Sequence, residues 1–452
     1  MTYLSPEDVQ RMLPAGPCSK TPHDLAAPLR EGLAADGHFT PEQIAGRNFP
    51  IACVALEVTQ RCNLDCTLCY LSDLAEAVKD VPLFELKRRI KTIFEHYGAQ
   101  TNIQITGGDP SLRSISDLVE IVRDIKSYPM RCALLTNGIK ASREMLEALS
   151  DAGLDDVVFH VDMTQERKAY KDELDLNSVR LEYIERARDL PLRILFNTTI
   201  FDGNVTEIPR LVTFFIAQAD VVNLASFQMQ ADTGRGVLRA RDEDLITQQR
   251  VMKLIEEGAG LALNFDLPLI GHPDCNKYTA LLTAGSRLTQ LYDDVPFFTA
   301  LFPAIAGESR DWSVERNVVP EIIKATFRSP ALLFQGLRYV LRKAWALRSA
   351  LLRGRKLHRI SFFIHNFMDA QKLERGRCEA CVFMVATADG PMSMCVHNAK
   401  RDQMITQKVS GTVDQKSWDP LAVEAADTSL LPLKQLKGRL RAQMYEQRKK
   451  RA

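Results

Sequence analysis

Cys53-Val54-Ala55-Leu56-Glu57-Val58, followed after three intervening residues by Cys62-Asn63-Leu64-Asp65-Cys66-Thr67-Leu68-Cys69, decides how this chain is read. The first run is short and mostly apolar, so it is expected to form a buried strand. The cysteines then occupy the loop leaving that strand's C-terminal end, which is where α/β enzymes keep their active sites. Their C-x3-C-x2-C spacing lets three thiolates ligate three irons of one [4Fe–4S] cluster and leaves the fourth iron open for chemistry. Two blander readings stand beside this one. The cysteines could be buried small hydrophobes, or part of a structural zinc site closed by a fourth ligand.

Further strands follow at regular intervals. Ile103-Gln104-Ile105-Thr106 runs into Gly107-Gly108-Asp109-Pro110, and a glycine pair lets backbone approach a ligand closely. Cys132-Ala133-Leu134-Leu135-Thr136, Val157-Val158-Phe159-His160-Val161, Leu192-Arg193-Ile194-Leu195-Phe196 and Val221-Val222-Asn223-Leu224 read as strands separated by charged helical stretches. Six strands about 25–35 residues apart predict repeated βα units around a parallel sheet. Asn137-Gly138, His160, Asp162, Asn197-Thr198, Gln228 and Gln230 fall at strand C-terminal ends, where a barrel mouth would face a ligand. Each is equally readable as a turn residue or a satisfied polar group.

The cysteine loop and the glycine pair, in this order, resemble the radical S-adenosylmethionine (SAM) superfamily, in which a GGE-type motif meets the amino group of SAM. Asp109 stands where Glu is usual, and Leu68 where an aromatic residue is common, with Tyr70 two places later. The resemblance implies an α/β fold, a partial (β/α)6 barrel. It places a SAM-binding [4Fe–4S] cluster on Cys62, Cys66 and Cys69, and SAM itself against Tyr70, Gly107, Gly108, Asp109, Pro110, Asn137, Asp162 and Asn197. It also implies that a reducing donor such as flavodoxin or ferredoxin supplies the electron that cleaves SAM to methionine and a 5′-deoxyadenosyl radical, which takes hydrogen from an unactivated carbon.

A second constellation lies late in the chain, at Cys378-Glu379-Ala380-Cys381 and Cys395-Val396-His397-Asn398. Between them, Val382 to Thr387, the Ala388-Asp389-Gly390 turn and Met392-Ser393-Met394 predict a hairpin that returns Cys395 to Cys378 and Cys381. Cys275, in the turn-rich Gly271-His272-Pro273-Asp274-Cys275-Asn276, is the leading candidate for a fourth ligand, with His272 and His397 as outsiders. A second [4Fe–4S] cluster is favoured here over structural zinc. Cys18, Cys53 and Cys132 lack ligand spacing, and the latter two read as strand-core residues. Together with Ile364-His365-Asn366-Phe367-Met368-Asp369, this region is similar to the C-terminal pattern of the tetraether-synthase-like radical SAM proteins. That family includes archaeal enzymes that join isoprenoid lipid tails, and relatives once described as pterin methyltransferases. The archaeal lipid enzymes carry extra N-terminal cysteine pairs; only Cys18 and Cys53 precede the core here, so no mononuclear iron site is expected.

Composition limits the partners. The 452 residues hold 58 Lys+Arg against 57 Asp+Glu, a formal charge of +1, which implies no global attraction to nucleic acid. The start has neither a basic run nor an apolar one, and no stretch of about eighteen uncharged apolar residues occurs, so nothing is expected to span a membrane. Ten cysteines read as metal ligands and reduced thiols of a cytoplasmic enzyme rather than as a disulfide framework.

From Ile322 through Met368 there is no acidic residue, while Arg338, Arg342, Lys343, Arg348, Arg353, Arg355, Lys356 and Arg359 accumulate. Val340, Ala344, Leu347 and Leu351 fall on one helical stripe, and Arg338, Arg342, Arg353 and Lys356 on another. This reads as a basic amphipathic helix resting among anionic headgroups, or as an ordinary surface helix. Leu281-Leu282 and Phe297 to Phe302 would line a tail-binding tunnel or form plain core. The expected organisation is an extension over 1–45, the barrel over 46–270, an auxiliary-cluster and substrate region over 271–405, and a basic helical tail over 406–452. The expected substrate is an isoprenoid or fatty-acyl lipid, met by an enzyme at the inner face of the membrane. A peptide- or pterin-modifying radical SAM enzyme and a non-catalytic iron–sulfur electron carrier are the alternatives.

Overall fold

A computed structural model describes residues 2–15, 24–238, 241–242, 244–306, 319–410 and 416–421. Cys18 and most of the predicted C-terminal tail lie outside the described residues. Two short helices, α1 (Pro6–Arg11) and α2 (Ala27–Ala35), precede six βα repeats. These are β1 (Cys53–Thr59) with α3 (Leu83–Tyr97), β2 (Asn102–Gly107) with α4 (Ile115–Lys126), β3 (Arg131–Thr136) with α5 (Arg143–Asp151), β4 (Asp156–His160) with α6 (Asn177–Ala187), β5 (Arg193–Ile200) with α7 (Ile208–Ala217), and β6 (Val222–Met229) with α8 (Gln248–Ala259). The remainder is the hairpin β7 (Asn276–Ala284) and β8 (Arg287–Gln290), then α9 (Val295–Ala304), α10 (Val319–Phe327), α11 (Pro330–Leu351), β9 (His358–His365), α12 (Arg375–Glu379), the hairpin β10 (Phe383–Thr387) and β11 (Gly390–Ser393), α13 (Met394–Ala399) and α14 (Arg401–Ile405).

All the strands belong to one sheet, ordered β11-β10-β1-β2-β3-β4-β5-β6-β9-β7-β8. Strands β1 to β6 pair in parallel as the repeat predicts, β10 adds in parallel beside β1, and β9 adds in parallel beside β6. The sheet does not close, so it is a partial barrel. The expected boundary at 270 falls inside a continuous sheet, because β7, β9 and β10 extend it on both sides.

Local sequence explains the repeats. In α4, Ser114 caps the first turn by accepting from the Asp117 amide, and Leu118, Ile121, Val122 and Ile125 form a buried stripe at helical spacing. Ser142 and Thr247 cap α5 and α8 in the same way. Burying each such aliphatic side chain contributes about 1.5–3 kcal/mol. On β2, Ile103 and Ile105 point into this helix-covered core. Gln104 and Thr106, one residue out of phase, therefore face the other way, into the barrel.

The long basic helix differs from the expected one. The stripe of α11 that packs inward carries Leu332, Gly336, Tyr339, Lys343, Leu347 and Ala350, while Val340 is 58% exposed. Leu347 and Ala350 pack on Ala284 of β7. Arg338, Arg342 and Lys343 are paired with Asp293 and Asp294 in the loop after β8. Arg353 and Lys356 lie beyond the helix end.

Candidate functional site

Period-two alternation on parallel strands places one set of side chains inside the barrel, around a cavity of about 1350 Å³. Its layers follow the strands upward. Arg131, Asp156 and Arg193 stand at the N-terminal end, Ala133, Val158 and Leu195 in the middle, and His160 and Asn197 near the C-terminal end. Above them, Cys62, Cys66, Cys69, Tyr70, Gly107, Gly108 and Asn137 complete the wall.

Backbone contacts from two sides hold the cysteine loop. The Gly108 amide donates to Thr59 O and the Asp109 amide to Arg61 O, both at 2.8 Å. A Cβ at Gly107 would lie 2.0 Å from Thr59 O, and one at Gly108 2.0 Å from Arg61 O, so only glycine fits this junction. Opposite, the segment after β6 donates from Arg235 to Leu71 O, from Gly236 to Cys69 O, and from Val237 and Leu238 to Thr67 O, at 2.8–3.1 Å. The Arg235 guanidinium also hydrogen-bonds the Cys69 sulfur. Sequence reasoning missed this clamp; its one signal is Gly234-Arg235-Gly236 directly after the sixth strand. Tyr70 donates its hydroxyl to Gly107 O, and the Arg401 guanidinium lies 4.6 Å over its ring. Burial pushes the Cys62 thiol up to about 11 and raises Cys66 well above its ordinary value.

The predicted polar residues divide into two groups. Asn137 faces the loop, donating to Asn63 Oδ1 at 2.7 Å and lying 3.9 Å from Cys62 Sγ. Asn197 lines the cavity and donates to His160 Nδ1 at 3.2 Å. Asp109 is turned away from it. Its buried carboxylate accepts from the Ser111 and Asn137 amides and from the Ser111 and Thr136 hydroxyls, tying the end of β2 to the end of β3. Pro110 is buried behind the same turn. Asp162 is likewise internal, accepting from the Thr164 and Thr199 amides and bonded to His160 Nε2 at 2.6 Å. His160 is therefore the residue of this pair that presents itself to the cavity. Burial disfavours its imidazolium, but the Asp162 carboxylate outweighs that and raises its pKa.

The late cysteines gather at the other edge of β1. The β10–β11 turn falls at Ala388-Asp389 as expected, and the register Met384↔Ser393 leaves Cys395 in the first turn of α13. Docking β10 beside β1 brings Cys378, Cys381 and Cys395 into mutual electrostatic contact, and Cys275 joins them. Arg377 Nε donates to Cys275 Sγ at 3.2 Å. Burial raises Cys378 to about 12 and Cys275 to about 11, the latter partly offset by Arg377. Among the described residues, no three His, Cys, Asp or Glu side chains close in as a single metal ion demands. His272 packs against His38, and His397 is buried beside Glu57 and Arg401, so neither joins the cysteines. Cys53 and Cys132 are buried on β1 and β3.

This architecture, a partial parallel barrel with three cysteines in the loop after its first strand and a glycine pair after its second, is that of an iron–sulfur enzyme that activates SAM. The radical SAM superfamily pattern matches residues 56–215. GTP 3′,8-cyclase of Marinobacter nauticus is 31% identical over 48% of this chain and 68% of its own length. PqqA peptide cyclase of Methylobacterium nodulans is 30% identical over 60% of this chain and 72% of its own length. The chain belongs to the radical SAM superfamily. It is also 28% identical to 7,8-dihydro-6-hydroxymethylpterin dimethyltransferase of Methanocaldococcus jannaschii, over 45% of this chain but only 41% of that relative's length.

Membership implies a [4Fe–4S] cluster and SAM, and the residues present fit both. Three thiols share one wall of the cavity, and burial keeps those of Cys62 and Cys66 protonated unless a metal claims the thiolates. Among the described residues, Asn197 Oδ1 and Ser226 Oγ are buried at the cavity wall without a hydrogen-bond partner, which suits a polar ligand.

Proposed function

We propose that this radical SAM enzyme acts on an isoprenoid or fatty-acyl lipid, with Cys62, Cys66 and Cys69 holding the SAM-binding cluster and Cys275, Cys378, Cys381 and Cys395 holding a second one. The observation that carries the lipid reading is the reach of the cavity. From the cysteine loop it extends past the apolar middle of the barrel to Phe297, Phe298, Leu301 and Phe302 of α9, and on to Leu333 and Leu337 of α11. A polar metabolite would gain little from such a wall, whereas a hydrocarbon chain gains about 25 cal/mol for each Å² buried.

When bound, the cluster and SAM supply a radical able to take hydrogen from a carbon that offers no acidic or polar handle. The chain's own residues orient and protect. The Gly107-Gly108 backbone, Asn137, Asn197 and Ser226 offer polar contacts at the top of the cavity, with His160 fixed by Asp162. Ala133, Val158 and Leu195 beneath them keep water from the reacting carbon. The expected membrane contact rests on the exposed Phe334, Leu337, Leu341 and Trp345 of α11, beside the exposed Arg353, Arg355 and Lys356. Among the described residues no helix is long and apolar enough to cross a bilayer.

A peptide or pterin substrate is the rival reading, favoured by the names of the relatives above. Anaerobically reconstituted enzyme should form 5′-deoxyadenosine faster with a lipid extract than with peptide or pterin mixtures. Equal formation with all three would end the lipid reading. A C62A/C66A/C69A variant should keep about four irons on the second site; loss of all iron would remove that site.

A further inference from the structure

The N-terminal end of a barrel ordinarily serves stability rather than ligands, and here it carries more cationic charge than stability needs. Arg131 and Arg193 share one carboxylate, Asp156, with contacts of 2.6 Å each. Arg359, two strands along at the start of β9, adds a third guanidinium close enough to repel Arg193, and among the described residues its hydrogen-bond partners are neutral: the Tyr278 hydroxyl at 2.6 Å and the Ser361 hydroxyl at 3.3 Å. All three arginines line the cavity. Arg359 is solvent-accessible yet walled in by protein, as befits a side chain facing an internal space. The other carboxylate on this part of the wall, Asp220, is exposed and also faces Arg188. Two features flank the cluster. Above it lies the apolar ring of Ala133, Val158, Leu195 and Leu224. To its side the cavity reaches Ile323, Phe327 and Leu357, which are 50%, 72% and 53% exposed and so mark an opening to the surface.

We propose that Arg193 and Arg359 form the headgroup site of an anionic amphiphile, binding a phosphate or carboxylate at the barrel floor while the apolar chain runs upward to the cysteine loop. This rests on the lipid reading above and adds a polarity to it. The substrate enters through the α10–α11 opening and lies head down, tail up. From Arg193 to Asn197 the rise along β5 is about 13 Å, so a chain shorter than that leaves the reacting end of the cavity empty. Arg359, bonded to hydroxyls alone, can turn its forked donors to phosphate oxygens, while Arg193, whose Nε and Nη2 are held by Asp156, adds charge and its remaining Nη1.

Equilibrium binding to the reconstituted holoenzyme tests this with three probes: dodecyl phosphate and dodecyl maltoside, each below its micellar concentration, and inorganic phosphate. Dodecyl phosphate is expected to bind at least tenfold tighter than either other probe. R193Q and R359Q should each cost about tenfold for dodecyl phosphate only, and R359K should fall between R359Q and the wild type, because it keeps the charge but loses the fork. Equal binding of the two dodecyl compounds, unmoved by either glutamine variant, would overturn the headgroup site while leaving the oily cavity intact. Inorganic phosphate binding as tightly as dodecyl phosphate would make this a free-anion site and overturn the amphiphile. Failure of both dodecyl compounds to bind would sink the lipid reading itself, and this proposal with it.

Discussion

At Gly108 a single hydrogen atom separates a working junction from a blocked one. A methyl group there would meet Arg61 O at 2.0 Å, and the obstacle is backbone, which cannot rotate aside. G108A should therefore push the end of β2 away from the cysteine loop and weaken SAM binding by at least tenfold, about 1.4 kcal/mol. Equilibrium dialysis with labelled SAM checks it, and unchanged affinity would show that this backbone does not border the cofactor. Asp109 calls for a different expectation, because its carboxylate is spent on Ser111, Thr136 and Asn137. D109N should leave Thr136 and the Asn137 amide poorly satisfied and cost about 1–3 kcal/mol of stability, read as a lowered urea midpoint.

Among the elements, β1 and α14 are joined by the buried pair Glu57 and Arg401, 2.8 Å apart, beneath Tyr70. Burial works against the Glu57 carboxylate, but Arg401 opposite holds it down to about 2. E57Q strands the Arg401 charge and should cost about 3–5 kcal/mol, whereas E57M/R401M, which removes both charges, should cost far less. A double-mutant cycle by urea unfolding separates the two; equal losses would mean the pair is solvated. Strands β1 to β6 were legible because each is an apolar run between turn signals at a steady interval. The hairpin at 383–393 was legible from its Asp-Gly turn. That it docks beside β1, carrying its cysteines to the barrel, was not, because strand order is settled by long-range packing that leaves no periodic trace. The same limit explains α11. Helical arithmetic yields several candidate stripes, and the choice among them is made by Ala284 and by Asp293 and Asp294, which the helix's own sequence does not contain. At the site, the three-cysteine loop was plain, but Asp162 and His160 both sit at the end of β4. Only the fold shows that the carboxylate turns inward to His160 and that the imidazole faces the cavity.

For the molecule as a whole, two forces are separable: what acid does to the fold and what a membrane does to the surface. His365, at the cavity wall, is held down to about 3 by burial. The unfolded chain takes up that proton first, so its contribution to stability is present above about pH 6.5 and lost as pH falls toward 3. Glu57 acts in the same direction from about pH 4.5 downward, since its folded pKa is also depressed. Each proton adds a slope of up to about 1.4 kcal/mol per pH unit. Denaturant melts of the holoenzyme between pH 7 and 5 should fall with acidity, and H365Q should flatten that fall; parallel curves would place His365 in solvent. The surface is governed by α11 and the turn after it. Phe334, Trp345 and Leu352 are 71%, 69% and 87% exposed, more apolar surface than a wholly aqueous life rewards. Arg353, Arg355 and Lys356 are exposed next to them, while Arg338, Arg342 and Lys343 are already paired with Asp293 and Asp294 and add little attraction. At about 1 kcal/mol per basic side chain near an anionic bilayer, R353Q/R355Q/K356Q should weaken co-sedimentation with phosphatidylserine-containing vesicles roughly 100-fold, whereas R338Q/R342Q should do much less. Raised salt should mimic the triple variant, because exposed charges are screened over about 10 Å at 0.1 M. W345S/L352S should weaken binding to charged and neutral vesicles alike. If the triple variant sediments like the wild type, the basic turn is only a solvated surface and the exposed apolar face of α11 must be covered by something other than an anionic membrane.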